Sequence, residues 1–229
     1  MKTIGLIGGM SWESTLEYYR IINETVKNSL GGFHSAKCLM YSVDFAEIES
    51  LMGQDRWHDA GQMLADIAKN LENGGADLLV LCTNTLHKVA DMIQAAVRIP
   101  FLHIADATAQ KVVEQGLTKI ALLGTRVTME DDFYKGILSK KYGLNVMIPQ
   151  ASERENIHRV IFDELCLGRI LPESRANYMA IMDNLADRGA EGIILGCTEI
   201  GLLVGDHYTR VPLFDTARIH AIAAAEYAL

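Results

Sequence analysis

Residues 75 to 85 read GADLLVLCTNT, and residues 189 to 199 read GAEGIILGCTE. Each stretch opens with Gly-Ala and an acid, crosses an apolar run of strand length and reaches Cys and Thr. A shift of 114 residues lays Gly75 on Gly189 and Ala76 on Ala190, but it sets Cys82 against Gly196 and Thr83 against Cys197. The chain therefore carries one element twice, with the cysteines one position out of register. Equivalent strand ends present a hydroxyl in the first copy and a thiol in the second.

Working outward, short β-rich runs alternate with amphipathic helical stretches. KTIGLIGG precedes a helix expected from about Ser14 to Leu30; AKCLMYSVD precedes one from about Asp59 to Asn73; then come ADLLVLCTNT, IPFLHIAD and TKIALLGTRVT. That alternation predicts βαβ units and parallel sheets, whose strands are covered on both faces and so read as continuous apolar runs. The repeat is global, because 75 residues separate Gly8 from Thr83 and 73 separate Gly124 from Cys197. The expected fold is α/β with two similar lobes of mostly parallel sheet related by a pseudo-twofold. The first lobe is assigned residues 1–98 with 207–229, including the VPLFDTA strand and the terminal helix from Arg218, and the second residues 99–206. Ligands of open parallel sheets bind beyond the carboxyl ends of the strands. Two facing lobes would place those ends, with Gly8, Thr83, Gly124 and Cys197, around one cleft.

Composition bounds the partners. A formal charge of -8 over 229 residues argues against nucleic acid or an anionic membrane surface, both of which need basic residues to neutralise phosphate. No apolar run approaches the roughly 18 to 20 residues of a membrane span, and the start has no sustained apolar segment with a cleavage site, so no secretory leader is expected. Four scattered cysteines fit a reducing, cytoplasmic setting. Without CxxC, HExxH or a tight His/Cys cluster no metal site is expected.

Cys197 is the candidate base or nucleophile. A free thiol ionises near about 8.5, and a helix N-terminus or hydrogen-bond donor facing it lowers that value; the stretch after Glu199 is where such a helix is expected. Cys82 points to the opposite strand face from Thr83 and is read as core, as are Cys38 and Cys166. Asn84, Thr85 and Thr198 are short polar residues able to cap the next helix or to offer donors to an anion. Gly5-x-x-Gly8-Gly9 permits close backbone approach but is not a dinucleotide fingerprint. His87 and His103 are read as structural.

IGLIGGM at the start, TNTLH after the third strand, LLGT at 122 to 125, GCTE at 196 to 199 and the near-terminal LFDTA together resemble the aspartate/glutamate racemase family, in particular its L-aspartate/glutamate-specific branch. The resemblance implies two lobes, no cofactor, and two opposed cysteines that remove and return an α-proton. It puts Thr83 in the place of the first cysteine and keeps Cys197 as the second. It further implies that Met10, Asn84, Thr85, Thr125 and Thr198 hold the amino acid's carboxylate and amine. Where aspartate racemases commonly carry an Arg after the second strand and a Lys on a later helix, this chain has the stretch 44–49 and Cys166, leaving Arg126 as a substitute for the distal carboxylate. The expected partners are a small amino-acid substrate and a second copy in a homodimer. The alternatives are a single-cysteine decarboxylase or isomerase of the same superfamily, and a non-catalytic amino-acid-binding protein.

Overall fold

A computed structural model describes residues 1–205 and 209–229. Among them, eight strands form two four-stranded parallel sheets. The first contains β1 (Thr3–Gly8), β2 (Lys37–Ser42), β3 (Leu78–Leu81) and β4 (Phe101–Leu102); the second contains β5 (Lys119–Gly124), β6 (Asn145–Met147), β7 (Gly192–Gly196) and β8 (Leu213–Asp215). The sheet orders are β2-β1-β3-β4 and β6-β5-β7-β8, the same arrangement in both. The helices are α1 (Trp12–Leu30), α2 (Phe45–Gly53), α3 (Trp57–Asn73), α4 (Ala90–Ala96), α5 (Ile104–Glu114), α6 (Arg126–Glu130), α7 (Asp132–Gly136), α8 (Ala151–Asp163), α9 (Pro172–Asp187), α10 (Ile200–Leu203) and α11 (Thr216–Ala228). None is long and apolar enough to cross a membrane.

The opening Gly-Ala-acid of the repeat has one structural job in both copies. Gly75 and Gly189 turn the chain out of α3 and α9 with φ of 96° and 93°, values in the left-handed region that a side chain disfavours. Ala76 and Ala190 are buried. The acid then binds the first strand of its own sheet: Asp77 Oδ2 accepts from Thr3 N at 2.7 Å, and Glu191 Oε2 accepts from Lys119 N at 2.9 Å. The same acids donate their backbone N–H to Thr3 O and Lys119 O, each at 2.8 Å. Strand register is therefore set identically in the two sheets.

The chain divides into two compact units, 1–104 with 220–229, and 105–219. One apolar cluster packs α3 and the β1 and β3 side chains Ile7, Leu79 and Leu81; another packs α8 and α9 on Leu123, Ile193 and Leu195. The VPLFDTA strand, expected to rejoin the first lobe, belongs instead to the second sheet, where β8 pairs with β7 (Ile194 with Phe214). It is the counterpart of β4. Most of α11, from His220 onward, does return to the first unit: His220 Nε2 donates to Leu102 O at 2.8 Å, and Lys2 N donates to Ala228 O at 2.8 Å. The boundary expected between 206 and 207 lies outside the described residues.

Candidate active site

Strand register decides which residues are equivalent. Ile7 pairs with Leu81, and one step further Cys82 N donates to Ile7 O at 2.9 Å, which sets Cys82 beside Gly8. In the second sheet Gly124 pairs with Gly196. Cys82 thus occupies the place of Gly196, and Thr83 that of Cys197. The glycine pair is required by close approach: a Cβ on Gly124 would lie 2.6 Å from Gly196 O, and one on Gly196 would lie 2.7 Å from Leu123 O. Cys82 is wholly enclosed, whereas Thr83 and Cys197 each retain 8 % exposure. Burial pushes the Cys82 thiol far above its ordinary range, which suits an inert core group.

Cys197 differs from its sequence-based expectation. The helix that follows, α10, has only four residues, so little dipole faces the thiol. The Sγ donates instead to Glu199 Oε2 at 2.9 Å, and Thr198 Oγ1 donates to the same oxygen at 2.9 Å. Burial, then the neighbouring Glu199 charge, raise the thiol well above its usual range. The thiol is thus set on the Glu199 side chain, an acceptor, where the sequence led to the expectation of a helix N-terminus. Glu199, to which sequence reasoning gave no role, is 2 % exposed; an acid two residues beyond a strand-end cysteine was the only local signal for it.

Thr83 is held by its own main chain. Its carbonyl accepts from His87 Nδ1 at 2.7 Å, and His87 Nε2 accepts from Ile104 N at 3.2 Å, fixing the neutral tautomer. His103 stacks edge-on to His87 at 4.5 Å. Burial, then the charges His103 and His220 would carry, keep His87 far below the usual histidine range.

The other expected residues divide. Thr125 caps α6, accepting from Thr128 N at 3.3 Å, and it is buried with Asn84 and Thr198. Asn84 begins the 3-10 turn Thr85–Val89 without capping it through its side chain. Met10 is 3 % exposed and packs in the first unit's apolar cluster with Ile48 and Leu86. Arg126 is ion-paired to Glu155 on α8, so its charge is already engaged. Asp44 caps α2, accepting from Ala46 N at 3.1 Å. Cys166 is half-buried in the 3-10 turn Leu165–Leu167, and Cys38 is half-buried on β2, where burial raises it to about 11. Among the described residues no group of three or more His, Cys, Asp and Glu side chains is placed to hold a metal ion.

The chain is similar to known proteins in sequence and fold. The chain is 55 % identical to a Yersinia pestis protein of known crystal structure, provisionally described as an Asp/Glu racemase, with a TM-score of 0.93 over 100 % of this chain and 99 % of that one. It is 36 % identical to an aspartate racemase homologue from Pyrococcus horikoshii, with a TM-score of 0.85 and the same coverage. It is 25 % identical to the broad specificity amino-acid racemase RacX of Bacillus subtilis, over 93 % of this chain and 92 % of that protein. The Asp/Glu/hydantoin racemase family model matches residues 7–224. With two sheets of one order and strand-end Thr83 and Cys197 in equivalent register, the chain belongs to the Asp/Glu/hydantoin racemase family and is an isomerase of the amino-acid racemase kind.

Proposed function

We propose that this protein racemises aspartate or glutamate without a cofactor, in a reducing cytoplasmic setting, through an unequal pair of proton-transfer groups, Thr83 and Cys197. Cys197 removes the α-proton of the L-enantiomer, and Thr83 delivers a proton to the opposite face. The observation that carries this reading is the shared register of the two residues at the ends of β3 and β7, with equal residual exposure of 8 %. Thr83 has no acidity near neutral pH comparable with a thiol, so it acts as donor or relay with water behind it. Asn84, Thr85, Thr125 and Thr198, with Met10 shaping the turn after β1, hold the carboxylate and amine. Donors set where negative charge develops on the carboxylate stabilise the transition state more than the ground state.

Enantiomers in water are equal in free energy, so kcat/KM must match in the two directions. Any preference for the L-enantiomer appears in kcat and KM separately. The engaged Arg126 leaves recognition of the distal carboxylate unassigned, and the broad specificity named for the Bacillus subtilis relative makes a substrate panel the proper test. Proton NMR in D2O, with L- and D-forms of glutamate, aspartate and neutral and basic amino acids, should show α-proton loss fastest for L-glutamate or L-aspartate. Loss of signal from none of them removes the proposal.

A second reading is favoured by the bond that the Cys197 thiol donates to Glu199 Oε2 at 2.9 Å. A thiol that rests as an acid suits protonation of a planar carbanion left by loss of CO2. Release of CO2 from substituted malonates, without α-proton exchange in amino acids, would select it. Self-association as a homodimer belongs to the main proposal; sedimentation at micromolar concentration that shows only monomer would remove that part.

A further inference from the structure

We infer that His87 is the positioning residue for Thr83: its imidazole ties the Thr83 carbonyl to the backbone N–H of Ile104, and so fixes the strand end from which the Thr83 hydroxyl delivers a proton. This rests on the racemase reading and adds to that reaction a side chain that acts only through Thr83. The Thr83 N–H closes a three-residue turn on Leu81 O at 2.9 Å, so the chain turns out of β3 at this residue. Its carbonyl is taken by His87 Nδ1 at 2.7 Å, from the 3-10 turn that follows. A carbonyl can only accept, so Nδ1 carries the proton; the N–H of Ile104 can only donate, so Nε2 is the acceptor at 3.2 Å. One neutral tautomer serves both bonds.

The far end of this bridge is anchored. Ile104 opens α5 and is the last residue of the first unit before the chain passes to the second. Just before it, Leu102 O accepts from His220 Nε2 at 2.8 Å, and Nδ1 of that ring accepts from the Tyr18 hydroxyl at 2.9 Å. His220 is the residue at which the chain re-enters the first unit, so a histidine holds the chain at each crossing. The rings of His103 and Phe101 pack on His87 with centroids at 4.5 and 5.4 Å, which restrains its plane.

The second copy of the repeat secures its strand end by other means. Gly201 stands where the first copy has His87, and a side chain has no room there, because its Cβ would lie 2.5 Å from Asp215 Oδ2. The Cys197 carbonyl accepts instead from Ile200 N at 3.1 Å, within the main chain of the following turn. Phe101 on Leu79 and Leu213 on Ile193 are equivalent pairs, so Ile104 corresponds to Thr216, which opens α11. Thr216 Oγ1 donates directly to Leu195 O at 2.7 Å, inside β7. The second sheet thus ties its next helix to the body of the strand, while the first ties it through an imidazole to the reacting residue itself. The added brace falls on the copy whose proton donor is a hydroxyl, a weak acid for which placement counts most.

In the proposed reaction one proton leaves the L-substrate for Cys197 and one enters from water through the Thr83 hydroxyl; the hydroxide left behind is neutralised by the proton that Cys197 then releases. In D2O the carbanion is deuterated either from the Thr83 side, giving the D-enantiomer, or from Cys197 once its thiol has exchanged, returning the L-enantiomer. The initial ratio of D-enantiomer to deuterated L-enantiomer, from chiral chromatography with mass detection, therefore follows Thr83 and not overall activity. His87→Asn keeps a donor near the place of Nδ1, and His87→Gln keeps an acceptor near that of Nε2, while both remove the same ring. His87→Gln should lower the ratio by about 10- to 100-fold, and His87→Asn should keep it within about twofold of wild type. A wild-type ratio in the Gln variant, or an equal fall in both variants, overturns the inference and leaves the racemase reading standing. Wild type that forms no D-enantiomer removes that reading; the bridge is then judged in a Thr83→Cys background. There iodoacetamide should label the introduced thiol several-fold faster with His87→Gln than with His87→Asn, and equal rates overturn the inference. If either variant fails to fold, the nitrogen NMR spectrum of the wild-type imidazoles decides: His87 should be neutral at pH 7 with its proton on Nδ1, and a proton on Nε2 overturns the inference.

Discussion

In the proposed reaction Thr83 and Cys197 do unequal work because their functional atoms differ in acidity, while Cys82, next to Thr83, is sealed at 0 % exposure. Cys197→Ser should therefore cut α-proton exchange from the L-enantiomer by a factor of about 10² to 10⁴ or more. Cys82→Ala should leave exchange near wild type and cost only about 1 kcal/mol in stability. Deuterium wash-in and urea unfolding on both variants check the contrast; equal losses of exchange in two folded variants would mean the wrong thiol was chosen. Thr83→Cys places an ionisable group where the D-enantiomer presents its α-proton. Deuterium wash-in from the D-enantiomer should rise more than from the L-enantiomer, as a kcat gain with a compensating KM. Unchanged D-side exchange in a variant that folds and binds would remove Thr83 from the reaction.

At the scale of elements, the ends of β5 and β7 approach so closely that neither Gly124 nor Gly196 has room for a side chain. Gly196→Ala forces a methyl group against Leu123 O and Leu122 Cδ1, each 2.7 Å from the ideal Cβ. Overpacking of this kind costs about 1–3 kcal/mol. Since Cys197 is the next residue, the strand end should shift and exchange should fall with stability. Urea midpoints and L-side wash-in are the measurements, and an Ala variant with wild-type values in both would show that the sheet yields there. The first sheet takes the opposite solution, with Cys82 opposite Gly8, so a side chain fits on one of the two strands.

At the scale of the molecule, the two ends of the chain meet through histidines. Tyr18 on α1 bonds His220 Nδ1 at 2.9 Å, and the other ring nitrogen of His220 donates to Leu102 O. Burial lowers His220 to about 3 and holds His87 well below its usual range. Both therefore bind protons more readily unfolded than folded, so their contribution to stability is complete above about pH 6.5. It is lost as pH falls from there toward about 3, by up to about 1.4 kcal/mol per pH unit for each histidine. Urea unfolding between pH 7.5 and 4.5 should show that loss, and His220→Gln should flatten it. An unchanged acid slope in the variant would assign the titration to other groups.

The sequence by itself determined the repeat, the alternation of strand and helix and the offset of the cysteines, because each is local or periodic information. Thr83 and Cys197 are equivalent since side chains alternate along a strand and the 114-residue shift carries that alternation unchanged. Only the tertiary structure decided where β8 pairs, since LFD as a string fits the edge of either sheet and the choice is made by contact with β7. It also decided what the thiol touches. Chain order suggested a helix facing Cys197, but α10 proved too short to matter, and Glu199 folds back on the sulfur inside a site water barely reaches. Protonation depends on burial and on which charge lies within a few ångströms, and those are distances that a linear order of residues does not contain.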